Sequence, residues 1–159
     1  MKIYFESLGC DKNLADSEQM LGILRDNSFE ITNDELEADI AVVNTCCFIN
    51  DAKEESIMTA LRLASLKEEG CLKLLCLCGC LAQRYQDEII KEIPEVDGYF
   101  GKFDHDKLLE ALNKKYNTSL CNERVLTTPN HYAYLKIAEG CNRACSYCAI
   151  PIITGPYKS

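Results

Sequence analysis

Residues 40–46, Ile-Ala-Val-Val-Asn-Thr-Cys, are apolar and mostly β-branched until they close on two polar residues and a cysteine. A strand with one wet face would alternate apolar and polar side chains. A run that is apolar on both parities belongs to a strand covered above and below, as in a parallel sheet. Working outward, residues 2–8 (KIYFESL) read as a strand, followed by a helix to about Asn27 with Leu14, Met20, Leu21 and Leu24 at helical spacing. Phe29–Thr32 reads as a short strand. Downstream, a helix is expected from about Asp51, as its cap, to Glu69, with Gly70 as its stop. Leu72–Cys78 is a further buried strand, and a helix from about Ala82 to Glu92 must end before Pro94. Val96–Phe100 is a short strand, and Asp104–Tyr116 a closing amphipathic helix. Strands alternating with helices imply right-handed crossovers and an α/β fold with a parallel sheet covered on both faces.

Three stretches follow. Residues 1–117 form the sheet unit, and residues 118–131, without periodicity and containing Asn, Thr and Pro, read as a linker. In residues 132–159 a strand, Tyr132–Ala138, leads straight into a cysteine-rich loop. A lone strand and loop cannot bury a core, so this stretch is expected to be the truncated start of a second domain.

The formal charge of −8 and the lack of a basic stripe argue against direct nucleic-acid binding. An acidic surface suits a basic protein partner, or simply solubility. The first ten residues lack the apolar core of a signal peptide, and no stretch is apolar enough to span a bilayer, which points to the cytoplasm and no membrane partner. In that reducing setting eleven cysteines, an odd number, suggest metal or redox chemistry rather than disulfides.

Cys141, Cys145 and Cys148 are spaced C-x3-C-x2-C in one polar loop with Asn142, Arg143 and Ser146. Three thiolates can wrap an iron–sulfur cluster and leave one iron without a protein ligand. A zinc site would want a second cysteine pair downstream, and buried core thiols would want apolar neighbours. Cys10, Cys46 and Cys80 each stand at the C-terminal end of an expected strand. In a parallel sheet such ends share one edge, the usual ligand side. They are candidate ligands for a second site; the alternative is that they are small core residues. Cys47, Cys71, Cys76, Cys78 and Cys121 read as core thiols, although Cys76, Cys78 and Cys80 share one strand face. His105 and His131 read as ordinary surface or linker residues.

The strand-then-loop setting, with Tyr147 directly before the third cysteine, resembles the radical S-adenosylmethionine superfamily. Ser7-Leu8-Gly9-Cys10-Asp11-Lys12-Asn13 with Asp16-Ser17-Glu18, Asn44-Thr45-Cys46, Gly79-Cys80-Leu81-Ala82-Gln83-Arg84-Tyr85 and Leu135–Cys141 are similar to the methylthiotransferase family over essentially the whole chain. Gly9-Cys10-Asp11-Lys12-Asn13 resembles the branch that modifies an aspartate of ribosomal protein uS12; the branch acting on adenosine in transfer RNA has Gly-Cys-Gln-Met-Asn there. The resemblance implies two 4Fe-4S clusters, one on Cys141, Cys145 and Cys148 and an auxiliary one on Cys10, Cys46 and Cys80. It implies S-adenosylmethionine on the open iron of the first, with Tyr147 near its adenine, and a low-potential electron donor. The implied reaction takes a hydrogen from the β-carbon of the target aspartate and installs a methylthio group. The 159 residues would be an N-terminal fragment, with residues 132–159 beginning a β/α barrel, and would be inactive alone. Thr154 departs from the family, whose members carry Arg there. Non-enzymatic electron transfer and a zinc module are the rivals from other classes.

Overall fold

A computed structural model describes residues 1–102, 104–112, 124–143 and 145–159. Its centre is a sheet of five parallel strands, β1 (Lys2–Ser7), β2 (Glu30–Thr32), β3 (Ile40–Thr45), β4 (Leu74–Gly79) and β5 (Gly98–Phe100), in the order β2-β1-β3-β4-β5. β3 is central and buried along its whole length. It pairs with β1 from Ile3↔Ile40 to Ser7↔Asn44 and with β4 from Ile40↔Leu74 to Thr45↔Gly79. The expected α/β class with a parallel sheet is the one observed.

Side-chain alternation sends Ala41, Val43, Leu75 and Leu77 to one face, where α2 (Asn50–Glu68), α3 (Cys80–Arg84) and α4 (Gln86–Glu92) pack through Ala60, Leu63, Leu81 and Ile89. Ile3, Ile40, Val42, Cys76 and Cys78 point to the other face, covered by α1 (Asp11–Asp26) and α5 (His105–Ala111) through Ile23, Leu24, Leu108 and Leu109. Each fully buried aliphatic side chain contributes on the order of 1.5–3 kcal/mol. Both layers therefore hold the strand ends of β1, β3 and β4 in fixed register. A last short helix, α6 (Ile150–Thr154), packs on α3, and its Ile153 enters the α2-side core. Among the described residues no helix is long and apolar enough to cross a membrane.

Four expectations are corrected. Asp51 does not cap α2: the cap position is Ile49, without a side-chain hydrogen bond, and Asp51 lies in the first turn. The expected single helix from Ala82 to Glu92 is two helices, because Tyr85 leaves helical geometry (φ −121°, ψ 26°). Its ring packs against the α2-side core with Lys53 4.0 Å above its centre, a cation–π contact. Tyr132–Ala138 forms no strand. A strand needs a neighbour for its N–H and C=O groups, and among the described residues the one bridge near it is Glu139↔Lys158. Cys71 is exposed rather than core, since it sits in the turn after Gly70. Cys47, Cys76 and Cys78 are buried as expected. Cys121 and the end of the expected helix to Tyr116 lie outside the described residues. His131 is exposed, whereas His105 is half-buried at the start of α5, where burial lowers its pKa.

Candidate functional site

The β1/β3 boundary is where the strand order reverses, and open α/β sheets bind ligands beyond the strand ends at such points. Cys10 follows β1 as the residue preceding α1, Cys46 follows β3, and Cys80 follows β4 as the first residue of α3. All three line one cavity of about 310 Å³, together with Lys102, Glu139 and Thr154. That volume is at the small end of ligand cavities. Cys10 and Cys46 also line a wider cleft of about 780 Å³ beside the start of α2. The sheet therefore brings together three thiols from positions 10, 46 and 80.

Two glycines make the approach possible. Gly9, at φ +98°, lies against Cys46, and Gly79, at φ +91°, lies against Asn44 and Thr45. Positive φ is accessible to glycine without the Cβ penalty that other residues incur. The polar residues between these turns lock them. Asn44 donates from Nδ2 to the Asn13 carbonyl (3.1 Å) and to Ser17 Oγ (2.8 Å), while Asn13 Nδ2 donates back to the Asn44 carbonyl (3.3 Å). Ser7 and Ser17 hydroxyls meet at 2.6 Å, and Thr45 Oγ1 donates to the Cys78 carbonyl (2.6 Å). Ser56 on α2, which sequence reading passed over, accepts the Cys46 backbone N–H at 3.0 Å and is fully buried. Its sequence signal is a small polar residue on the inner helix stripe it shares with Thr59, Ala60, Leu63 and Ala64.

Burial pushes the Cys80 thiol up to about 12; Lys102 pulls it down, and Cys46, Cys47 and Cys10 push it up again. Ionising the three thiols together is therefore costly without a cation. A bound metal inverts that cost, because a coordinating thiol is deprotonated outright. Cys10 also occupies the N-cap position of α1, the end of a helix that favours negative charge.

The second cysteine set sits on a loop closed at its base. Glu139 and Lys158 exchange two backbone hydrogen bonds of 2.8 Å, and the Cys141 N–H donates to the Gly155 carbonyl at 3.1 Å. Cys141 and Cys148 are half-buried and Cys145 is exposed. The Arg143 N–H points at Cys141 Sγ (3.4 Å). Tyr147 is 90% exposed and lines, with Cys148, Arg84 and Phe48, a cavity of about 330 Å³. Phe48 also lines the Cys10–Cys46–Cys80 cavity, so one residue borders both that cavity and the one beside Cys148. Thr154, where the family pattern has Arg, bonds back to the Ile150 carbonyl (2.8 Å). Among the described residues no three His, Cys, Asp or Glu side chains stand close enough together to form a ready-made site for a single metal ion.

Buried charges tie the loop to the sheet unit. Lys102 lies between Asp16 Oδ2 (3.3 Å) and Glu139 Oε2 (3.2 Å), and Lys136 pairs with Glu139 (2.9 Å) and with Asp16. Glu18, fully buried, accepts from the Thr127 N–H (2.6 Å), the Thr127 hydroxyl (2.9 Å) and Arg124 Nε (2.6 Å). Asp16 and Glu18 belong to the motif after Cys10, but their partners 86 to 120 residues away were not readable from sequence.

The chain is 54% identical over 172 residues to the ribosomal protein uS12 methylthiotransferase RimO of Lachnoclostridium phytofermentans, covering 100% of this chain and 39% of that protein. It is 56% identical over 155 residues to the RimO of Bacteroides thetaiotaomicron, covering 96% and 36%, and 49% identical over 178 residues to that of Acetivibrio thermocellus, covering 99% and 39%. The chain thus spans well under half the length of these curated relatives. Residues 2–101, most of the sheet unit and both of its cysteine-bearing glycine turns, match a family model, and the chain belongs to that family, described as Uncharacterized protein family UPF0004.

Proposed function

We propose that this chain is the cluster-bearing N-terminal part of an enzyme that methylthiolates the β-carbon of an aspartate in ribosomal protein uS12. One observation carries the reading: Cys10, Cys46 and Cys80 line a single cavity that is also lined by Glu139 and Thr154, from the segment bearing Cys141, Cys145 and Cys148. The donor set suits iron–sulfur clusters, which thiolates hold.

Cys10, Cys46 and Cys80 would hold the auxiliary 4Fe-4S cluster, and Cys141, Cys145 and Cys148 the one that binds S-adenosylmethionine. When bound, these groups supply one-electron reductive chemistry on S-adenosylmethionine and a source of sulfur. The chain's own residues position them. Gly9 and Gly79 admit the cysteines, Ser56 fixes the Cys46 backbone, and Phe48 lines both the Cys10–Cys46–Cys80 cavity and the cavity beside Cys148. Tyr147 would flank the adenine. Residues 1–117 would act as the auxiliary-cluster domain, 118–131 as a linker and 132–159 as the entry to the barrel. A cytoplasmic setting, a low-potential electron donor and the uS12 substrate complete the reading, and the acidic charge balance favours that basic substrate over nucleic acid.

The test joins the downstream portion found in the relatives after Ser159 and offers the enzyme uS12 and transfer RNA in parallel. A methylthio group on a uS12 aspartate, seen by mass spectrometry and abolished by Cys80→Ala, is the expected result. Modification of transfer RNA alone would overturn the substrate, and a colourless, zinc-loaded chain would overturn the cluster reading.

A further inference from the structure

Lys102 lies two residues past β5, at the same sheet edge as the three cysteines, and its side chain is only 4% exposed. It lines the cavity formed by Cys10, Cys46 and Cys80. Lys12, the other lysine on that wall, is exposed. Lys102 meets Asp16 at 3.3 Å on α1 and Glu139 at 3.2 Å on the segment entering the second cysteine loop. With Lys136 these make two carboxylates and two ammoniums, so the quartet is balanced without any thiolate. Thiolates at Cys10, Cys46 and Cys80 would therefore add negative charge that the quartet does not already neutralise. The buried positive charge on that cavity wall is Lys102.

We infer that Lys102 is the positioning counter-charge of the Cys10–Cys46–Cys80 site and, by sharing its charge with Glu139, joins that site electrostatically to the segment leading into Cys141. The inference rests on the cluster reading above. A fixed positive charge in a dry site beside a cluster favours the form carrying the extra electron, since net charge is among the factors that set cluster potentials. A lysine that merely fastened the segment carrying Glu139 to α1 would stabilise the fold and leave the potential alone.

The experiment uses the 159-residue chain with Cys141, Cys145 and Cys148 all changed to alanine, reconstituted anaerobically with iron and sulfide. Iron content, the reduction potential and the electron paramagnetic resonance spectrum of the reduced form are compared for Lys102, Lys102→Met and Lys102→Arg. The expected result is equal iron in all three. The reduced-to-oxidised ratio at a fixed potential should fall about tenfold in Lys102→Met, which is 59 mV for one electron, and Lys102→Arg should restore it. Should Lys102→Met not fold, Lys102→Gln, which removes the charge but keeps a hydrogen-bonding side chain beside Asp16 and Glu139, decides in the same way. Equal iron with unchanged potential and spectrum in the uncharged variants would overturn the inference. No iron in the chain that retains Lys102 would overturn the cluster reading itself, and the inference with it.

Discussion

A methyl group on Gly9 would fall 2.5 Å from the Cβ of Cys46 and 2.7 Å from its sulfur. The turn that carries Cys10 thus rests directly on the neighbouring cysteine, and glycine is the residue that fits. Gly9→Ala should push the two loops apart and force a residue with a Cβ to φ +98°, costing about 1–2 kcal/mol for the backbone alone. Anaerobic reconstitution should then show reduced iron at the Cys10–Cys46–Cys80 site. Full loading with unchanged Tm would mean that the turn is not what brings the thiols together.

Ser56→Ala removes the acceptor of the buried Cys46 N–H. An orphaned buried donor costs about 1–3 kcal/mol, and urea unfolding of the metal-free chain should show a loss of that size. An effect near zero would assign Ser56 no part in holding Cys46.

Cys76 and Cys78 belong to the core and not to the site. Burial pushes Cys76 up to about 12 and raises Cys78 as well. Since the thiolate is the reactive form, iodoacetamide on the native chain at pH 8 should label the exposed Cys10, Cys71 and Cys145 first and leave Cys76 and Cys78 unmodified. Cys78→Ala should keep its iron. Rapid labelling of Cys78, or iron loss in that variant, would contradict this assignment.

Acid should release the segment around Thr127 from the sheet unit. Burial works to raise the Glu18 carboxyl, but the Thr127 N–H, Arg124 and the Thr127 hydroxyl outweigh it and hold the carboxyl below its ordinary 4.5. A depressed carboxylate stabilises the fold above its unfolded pKa, and that contribution is lost as pH falls through the folded value. Protection of the Val125 and Thr127 amides against hydrogen exchange, measured relative to their intrinsic rates, should therefore fall as the pH drops below about 4.5. In Glu18→Gln those amides should exchange faster at neutral pH and show a smaller change with acid. An unchanged exchange profile would mean that Glu18 does not anchor the segment.

The sheet was legible in sequence because β3 is apolar on both faces and its neighbours share that pattern, so composition alone implies two covering layers. The placement of Cys10, Cys46 and Cys80 followed, since strand ends of one polarity share one edge. Contacts that depend on tertiary neighbours were not legible. Tyr85 breaks a helix because its ring finds a core and a lysine from α2. Residues 132–138 have a strand composition but no neighbouring strand among the described residues. Ser56, Lys102 and the partners of Glu18 act through contacts 10 to 109 residues away, which no local pattern encodes.

Iron stoichiometry in Cys10→Ala and Cys141→Ala, measured side by side after anaerobic reconstitution, tests the central claim most directly. Two independent 4Fe-4S sites mean about eight irons in the parent chain and about four lost in each variant, with distinct spectra for the cluster that remains. A Cys10→Ala chain that keeps all of its iron would contradict the claim that the sheet edge forms a cluster site.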